Sequence, residues 1–175
     1  KTFLAELKET QTILFTARET EPLMRNAIRY LIIQVQNQET EKVNELSQML
    51  ITKASHFLKD LDASRERTAE IGAKRIKDGS TVFTHCHSST VTRLLAKAKA
   101  QGKNFQVICT ETRPAFQGKI TAKELVDLGI ETTFIVDSAA RTIMKNVDIV
   151  VVGADAITSE GNVVNKIGTS GIAVL

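Results

Sequence analysis

Cysteine is scarce: Cys86 and Cys109 are the only two in 175 residues, they stand 23 positions apart, and nothing resembles a secretory signal. A disulfide framework is thereby excluded, and a reducing, cytoplasmic compartment is expected. No uninterrupted apolar run approaches the roughly 18 to 20 residues of a membrane span, so a soluble chain with no membrane partner is expected. No block of one charge occurs either. The 23 Lys and Arg and the 20 Asp and Glu are interspersed and leave a net charge of +3. This argues against a dedicated nucleic-acid surface and leaves room for a local anion site. Neither G-x-x-x-x-G-K-[ST] nor G-x-G-x-x-G is present, so neither a Walker loop nor a dinucleotide fingerprint is expected, and no cofactor. Internal repeats and low-complexity tracts are lacking.

What is present is 42% hydrophobic residues, enough for one sizeable core and a smaller accessory region. The chain begins at Lys1 already within a helical pattern. It stops in the apolar run Gly171-Ile172-Ala173-Val174-Leu175, which has no stop signal. Both features predict a fragment with pieces missing at each end.

The first seventy-odd residues place Leu4, Leu7, Ile13 and Leu14, then Leu23, Ile28, Leu31, Ile32 and Val35, then Leu46, Leu50, Ile51, Ala54 and Leu58 at helical spacings. Thr20-Glu21-Pro22 supplies an N-cap and a first-turn proline, so one helix is expected to open near residue 20. A break is expected at 37–40. A long amphipathic helix should then run from about Lys42 to Lys77, with Asp78-Gly79-Ser80 as its turn. After Gly79 the rhythm changes. Short β-rich runs at 81–85, 105–110, 131–136 and 148–152 alternate with helical patterns at 89–100, 121–128 and 139–145. Strand, helix, strand at this spacing means right-handed βαβ units on a parallel sheet. The expected fold is α/β: an N-terminal helical bundle over 1–78, followed by a Rossmann-like parallel sheet over 79–175, truncated at the C-terminal end.

In such a sheet ligands bind beyond the carboxyl ends of the strands. The four ends offer His85, Cys86 and His87; Glu111, Thr112 and Arg113; Asp137 and Ser138; Gly153, Ala154 and Asp155. Cys86, Arg113, Asp137 and Asp155 should therefore converge on one edge. Ser88, Ser89 and Thr90 stand where they could cap the following helix, whose amides attract anions.

Each residue has a plainer alternative. Cys86 is either a small buried hydrophobe or a thiol lowered by two imidazoles and a helix N-terminus, suited to proton donation or attack. Metal ligation by the His85-Cys86-His87 triplet is not expected, because neighbouring strand residues face opposite ways and no second Cys/His pair supports a site. Arg113 is either a surface arginine or, beside Pro114 and with Gln117 and Lys119, a guanidinium held for phosphate. Asp155 is a helix cap or a general base. Lys166, in Asn165-Lys166-Ile167-Gly168-Thr169, is a solvated lysine or a second phosphate ligand.

The series THCHSST at 84–90, ETRPAFQG at 111–118, VDSAA at 136–140, VVGADAIT at 151–158 and NKIGT at 165–169 resembles one superfamily. Its members are archaeal ribose 1,5-bisphosphate isomerase, methylthioribose 1-phosphate isomerase and the regulatory subunits of translation initiation factor 2B. The resemblance extends to Ala17-Arg18-Glu19-Thr20-Glu21-Pro22 and so covers nearly the whole chain. The enzymes of that family use a cysteine and an aspartate, which match Cys86 and Asp155, whereas the regulatory subunits typically lack the pair. ETRPAFQGKITAKEL and VDSAAR look closer to the ribose bisphosphate enzymes; the methylthioribose phosphate enzymes usually carry asparagine where this chain has His87.

The resemblance implies an aldose–ketose isomerase of AMP metabolism that converts ribose 1,5-bisphosphate to ribulose 1,5-bisphosphate. Cys86 and Asp155 would be catalytic, and Arg113, Gln117, Asn165, Lys166, Ser88, Ser89 and Arg18 would bind the phosphorylated sugar. A helical domain closing over the site would exclude water. The family suggests a homodimer, or a hexamer built from dimers. The alternative is a regulatory subunit that binds a nucleotide or sugar phosphate and partners initiation factor 2; the further alternative is a methylthioribose 1-phosphate isomerase. The family's Gly/Ala/Arg-rich phosphate segment and its later strands are not in this sequence, so the fragment alone is expected to be inactive.

Overall fold

Thr81 to Thr84 is a strand whose four side chains are all buried, the mark of a parallel sheet covered on both faces. The computed structural model describes residues 2–17, 21–40 and 42–175. In chain order the elements are α1 (Phe3–Ala17), α2 (Pro22–Gln36), α3 (Val43–Ala73), β1 (Thr81–Thr84), α4 (Ser89–Ala100), β2 (Gln106–Thr110), α5 (Gly118–Asp127), β3 (Glu131–Ile135), α6 (Ala140–Ile143), β4 (Ile149–Val150), β5 (Ala156–Ile157), β6 (Val163–Val164) and α7 (Thr169–Val174). The expected α/β architecture, helices first and parallel sheet second, is what the chain adopts. The chain divides into two compact units, 1–63 and 64–175, and the division falls inside α3.

In the first unit Ile32, Val35 and Leu46 are buried, Tyr30 and Phe57 pack with ring centroids 5.8 Å apart, and Arg25 lies 4.3 Å over the Phe15 ring. Pro22 opens α2 at the position its missing N–H favours, with Glu21 at the N-cap. The Thr20 hydroxyl expected to cap this helix lies outside the described residues, as does Arg18.

In the second unit the sheet order is β3-β2-β1-β4, with every pair parallel. One face carries Val82, Val107, Leu95, Leu125, Ile130, Ala69 and Ala73 in a continuous apolar core. The other carries Phe83, Ile108, Ala140 and Ile172. Glu66 and Glu70 of α3 pair with Lys97 of α4 beside the first of these faces.

Several boundaries differ from expectation, and β4 is two residues, Ile149–Val150, where 148–152 was expected. Helix α3 stops at Ala73 rather than Lys77, because the Lys103 ammonium donates to the carbonyls of Ala73 at 2.6 Å and Ile76 at 2.7 Å and holds the chain in a turn. Helix α5 begins three residues early, at Gly118. The helix expected over 139–145 shrinks to the four residues of α6 between two 3-10 turns, Asp137–Ala139 and Met144–Asn146. The hairpin of β5 and β6, two residues each, was not anticipated; Gly161 takes φ 84° in its turn. Among the described residues no helix is long and apolar enough to cross a membrane.

Candidate active site

Cys86 follows β1 with φ 70°, a left-handed backbone that costs a non-glycine residue roughly 1 to 2 kcal/mol. Such a conformation persists only where the surroundings fix it. Its N–H donates to Thr112 Oγ1 at 2.9 Å, and its carbonyl accepts from Thr121 Oγ1 at 2.9 Å. Its thiol donates to Gln117 Oε1 at 3.6 Å. The side chain is buried.

The thiol is pushed up from its ordinary value, chiefly by burial. The backbone N–H of His87 and the charge of Lys166 pull it down, and the charges of Asp155 and Asp137 push it up again. The expected lowering by two flanking imidazoles is therefore reversed. His85 turns to the opposite face of the sheet, with Nδ1 2.6 Å from Thr110 Oγ1 and Nε2 2.8 Å from the Ile167 carbonyl. His87 turns to α5, with Nδ1 3.2 Å from Thr121 Oγ1. Because the Thr121 hydroxyl spends its proton on the Cys86 carbonyl, His87 Nδ1 is the donor in that bond. Burial thus favours the protonated form of the Cys86 thiol.

Asp155, Asp137 and Lys166 lie close enough for their charges to act on Cys86; of the four residues expected to converge, Arg113 is not among them. The hairpin brings the Asp155 and Lys166 segments together: the Asp155 N–H donates to the Val164 carbonyl at 2.8 Å, which aligns the chain before β5 with the chain leaving β6 toward Asn165 and Lys166. The Asp155 side chain is exposed, and Lys166 is half-buried. Asn165 Nδ2 donates to Thr169 Oγ1 at 3.1 Å, and its Oδ1 faces Gly153. Ser88 caps α4 by accepting the Val91 N–H at 3.4 Å, and Ser89, exposed, is the first residue of that helix. A Cβ on Gly153 would stand 2.9 Å from Ser88 Cβ and Oγ, so glycine there permits the β1 and β4 ends to close together.

Arg113 is placed differently. It is exposed, its guanidinium lies 4.6 Å over the Phe116 ring, and Lys119 approaches the same ring at 4.7 Å. It borders a cavity of about 440 Å³ with His85, Asp137, Ser138, Arg141 and Gly168, a lining that includes neither Cys86 nor Asp155. Its backbone N–H is held by Asp137 Oδ2 at 2.8 Å, and Oδ1 of the same carboxylate holds the Thr112 N–H at 2.8 Å. Burial raises the Asp137 carboxyl, but these two amides, the Thr110 hydroxyl and the His85 charge outweigh it and leave it below the usual carboxylate range. Two hydroxyls grip the Cys86 backbone: Thr112, which the sequence offered as a strand-end residue without a role, and Thr121, which sequence reasoning missed. Among the described residues no group of three or more His, Cys, Asp or Glu side chains is arranged to hold a metal ion.

A helical unit followed by a parallel sheet, with Cys86 at the carboxyl end of β1, defines an α/β protein. The chain belongs to the initiation factor 2 subunit family, whose model matches residues 1–175. It is 45% identical over 174 residues to the ribose 1,5-bisphosphate isomerase of Thermococcus kodakarensis, covering 98% of this chain and 54% of that protein. Among solved structures it resembles the Pyrococcus horikoshii OT3 translation initiation factor eIF-2B, with a TM-score of 0.86 and 32% identity over 98% of this chain and 58% of that one. It also resembles 5-methylthioribose 1-phosphate isomerase from Pyrococcus horikoshii OT3, with a TM-score of 0.81 and 27% identity over 98% of this chain and 51% of that one. The chain spans about half the length of the curated relatives it matches.

Proposed function

We propose that this chain carries the proton-transfer machinery of an aldose–ketose isomerase that converts ribose 1,5-bisphosphate to ribulose 1,5-bisphosphate in nucleotide salvage. The observation that carries the reading is a buried thiol, Cys86, held on Gln117 just beyond β1, with the Asp155 and Lys166 charges in reach. The 45% identity to a ribose 1,5-bisphosphate isomerase supports that substrate.

The reaction must break the bond between C1 and the ring oxygen without losing the C1 phosphate, remove a proton from C2 and deliver one to C1. That needs an acid, a base and groups to hold two phosphates. Cys86 exchanges the proton at carbon through a cis-enediolate-like intermediate, and Asp155 serves as base or as ring-opening partner. Lys166 and Asn165 position the sugar or one phosphate, and Ser88 and Ser89 add donors at the start of α4. Gln117 keeps its amide N–H groups free for substrate while its oxygen holds the thiol. Arg113 and Arg18 are the further phosphate holders. Exclusion of water would protect an enediolate phosphate that readily eliminates. The working form would be a dimer or a hexamer built from dimers, in the cytoplasm.

The likeness to the Pyrococcus horikoshii eIF-2B structure favours a second reading, a regulatory subunit that binds a sugar phosphate or nucleotide and engages initiation factor 2. The experiment is a turnover assay of the full-length protein with ribose 1,5-bisphosphate and, in parallel, methylthioribose 1-phosphate. Turnover of the bisphosphate alone is expected. Turnover of the methylthio sugar alone, or binding of initiation factor 2 with no turnover of either, would overturn the reading.

A further inference from the structure

We propose that Asp137 is a positioning residue for Cys86, acting across two strands through Thr112. Asp137 follows β3, Thr112 follows β2 and Cys86 follows β1, so the chain of contacts crosses the sheet from its edge inward. Asp137 spends both carboxylate oxygens on consecutive amides, Oδ1 on Thr112 and Oδ2 on Arg113, each at 2.8 Å. That grip turns Thr112 into a left-handed backbone with φ 60°. In this conformation Thr112 Oγ1 accepts the Cys86 N–H at 2.9 Å, and Cys86 is itself left-handed. Two unfavourable backbones are thus joined by one hydrogen bond, and the first is fastened by a carboxylate.

Released from Thr112, Cys86 would relax toward negative φ and swing its thiol away from Gln117. A carboxylate is the side chain this task requires, because its two oxygens only accept. An asparagine would satisfy one amide and present its own N–H groups to the other. The negative charge of Asp137 works against ionisation of the thiol, so the residue is not a base for Cys86; its contribution is geometric.

The inference rests on the reading of Cys86 as the proton-exchanging group. It is tested in the full-length protein with Asp137→Asn, Thr112→Val and the conservative Thr112→Ser. In Asp137→Asn and Thr112→Val, kcat should fall about 10- to 100-fold; in Thr112→Val, which leaves the Arg113 amide on Asp137, KM should stay within about threefold, because the phosphate holders are untouched while the thiol is displaced. Thr112→Ser should restore wild-type kcat. Alkylation of Cys86 by iodoacetamide, followed without substrate against the fully buried Cys109, should speed up several-fold in the first two variants and not in the third. Wild-type alkylation rates in both Asp137→Asn and Thr112→Val, or a Thr112→Ser variant as impaired as Thr112→Val, would overturn the inference. Failure of the isomerase reading registers separately, as full turnover retained by Cys86→Ser, while the alkylation rates still report the positioning.

Discussion

His85 Nε2 donates to the Ile167 carbonyl at 2.8 Å and so ties the end of β1 to the loop that carries Lys166. The other nitrogen of the same ring meets Thr110 Oγ1 at the end of β2. One buried imidazole thereby sets the spacing between the residue before Cys86 and the residue after Lys166. Replacement by alanine removes one bond of the buried Thr110 hydroxyl and the bond to the Ile167 carbonyl, and leaves a cavity. His85→Ala should lower stability by about 2 to 4 kcal/mol in urea unfolding. A loss below about 0.5 kcal/mol, the level of an ordinary surface substitution, would contradict the structural role.

Gly118 begins α5 against the end of β2. A Cβ there would lie 1.7 Å from the Thr110 carbonyl oxygen and 2.8 Å from its carbon, and backbone cannot step aside as a side chain can. Gly118→Ala should cost about 3 kcal/mol and shift the neighbouring Gln117 off the thiol. Gly161, at the hairpin turn, has open space around it and only its φ of 84° to defend, so Gly161→Ala should cost about 1 to 2 kcal/mol. Thermal unfolding of the two variants ranks them; equal losses would contradict the packing described.

The alternation of apolar runs and helical patterns after Gly79 made β1, β2, α4 and the parallel sheet readable, because β1 and β2 beyond Gln106 are buried on both faces and α4 has one apolar stripe. Cys86 and Asp155 were readable as strand-end residues for the same reason. The shortness of α6 was not, because Asp137 to Ala139 form a 3-10 turn while the Asp137 carboxylate reaches back to Thr112 and Arg113, a contact 24 and 25 positions away. The β5–β6 hairpin pairs two residues per strand, too few to show a period. The raised thiol was misread because flanking histidines are visible in a sequence and burial is not.

Burial pushes the Cys109 thiol up to about 11, and the Cys86 thiol also upward. An acid whose folded pKa exceeds its unfolded value holds a proton in the native state that the unfolded chain releases, so stability falls as pH rises. For Cys109 the fall should run from about pH 9 to about 11 and reach on the order of 2 kcal/mol. Comparison of the pH dependence of unfolding for wild type and Cys109→Ala checks it; the same alkaline slope in both would contradict the assignment.

Asp137 has the opposite sign. Its carboxyl is held low, so its contribution is present above the unfolded carboxylate pKa and is lost as pH falls through the lower folded value. The stability gap between pH 7 and pH 2.5 should be smaller in Asp137→Asn than in wild type, read by urea titration at both pH values. An unchanged gap would show that the two amide bonds do not favour the ionised form.

The central claim is that Cys86 and Asp155 share one proton-transfer reaction at the sheet edge. Its most direct test is kcat for ribose 1,5-bisphosphate in full-length Cys86→Ser and Asp155→Asn. Loss of general acid–base catalysis predicts a fall of about 100-fold or more in each. Turnover in either variant within about threefold of wild type would contradict it.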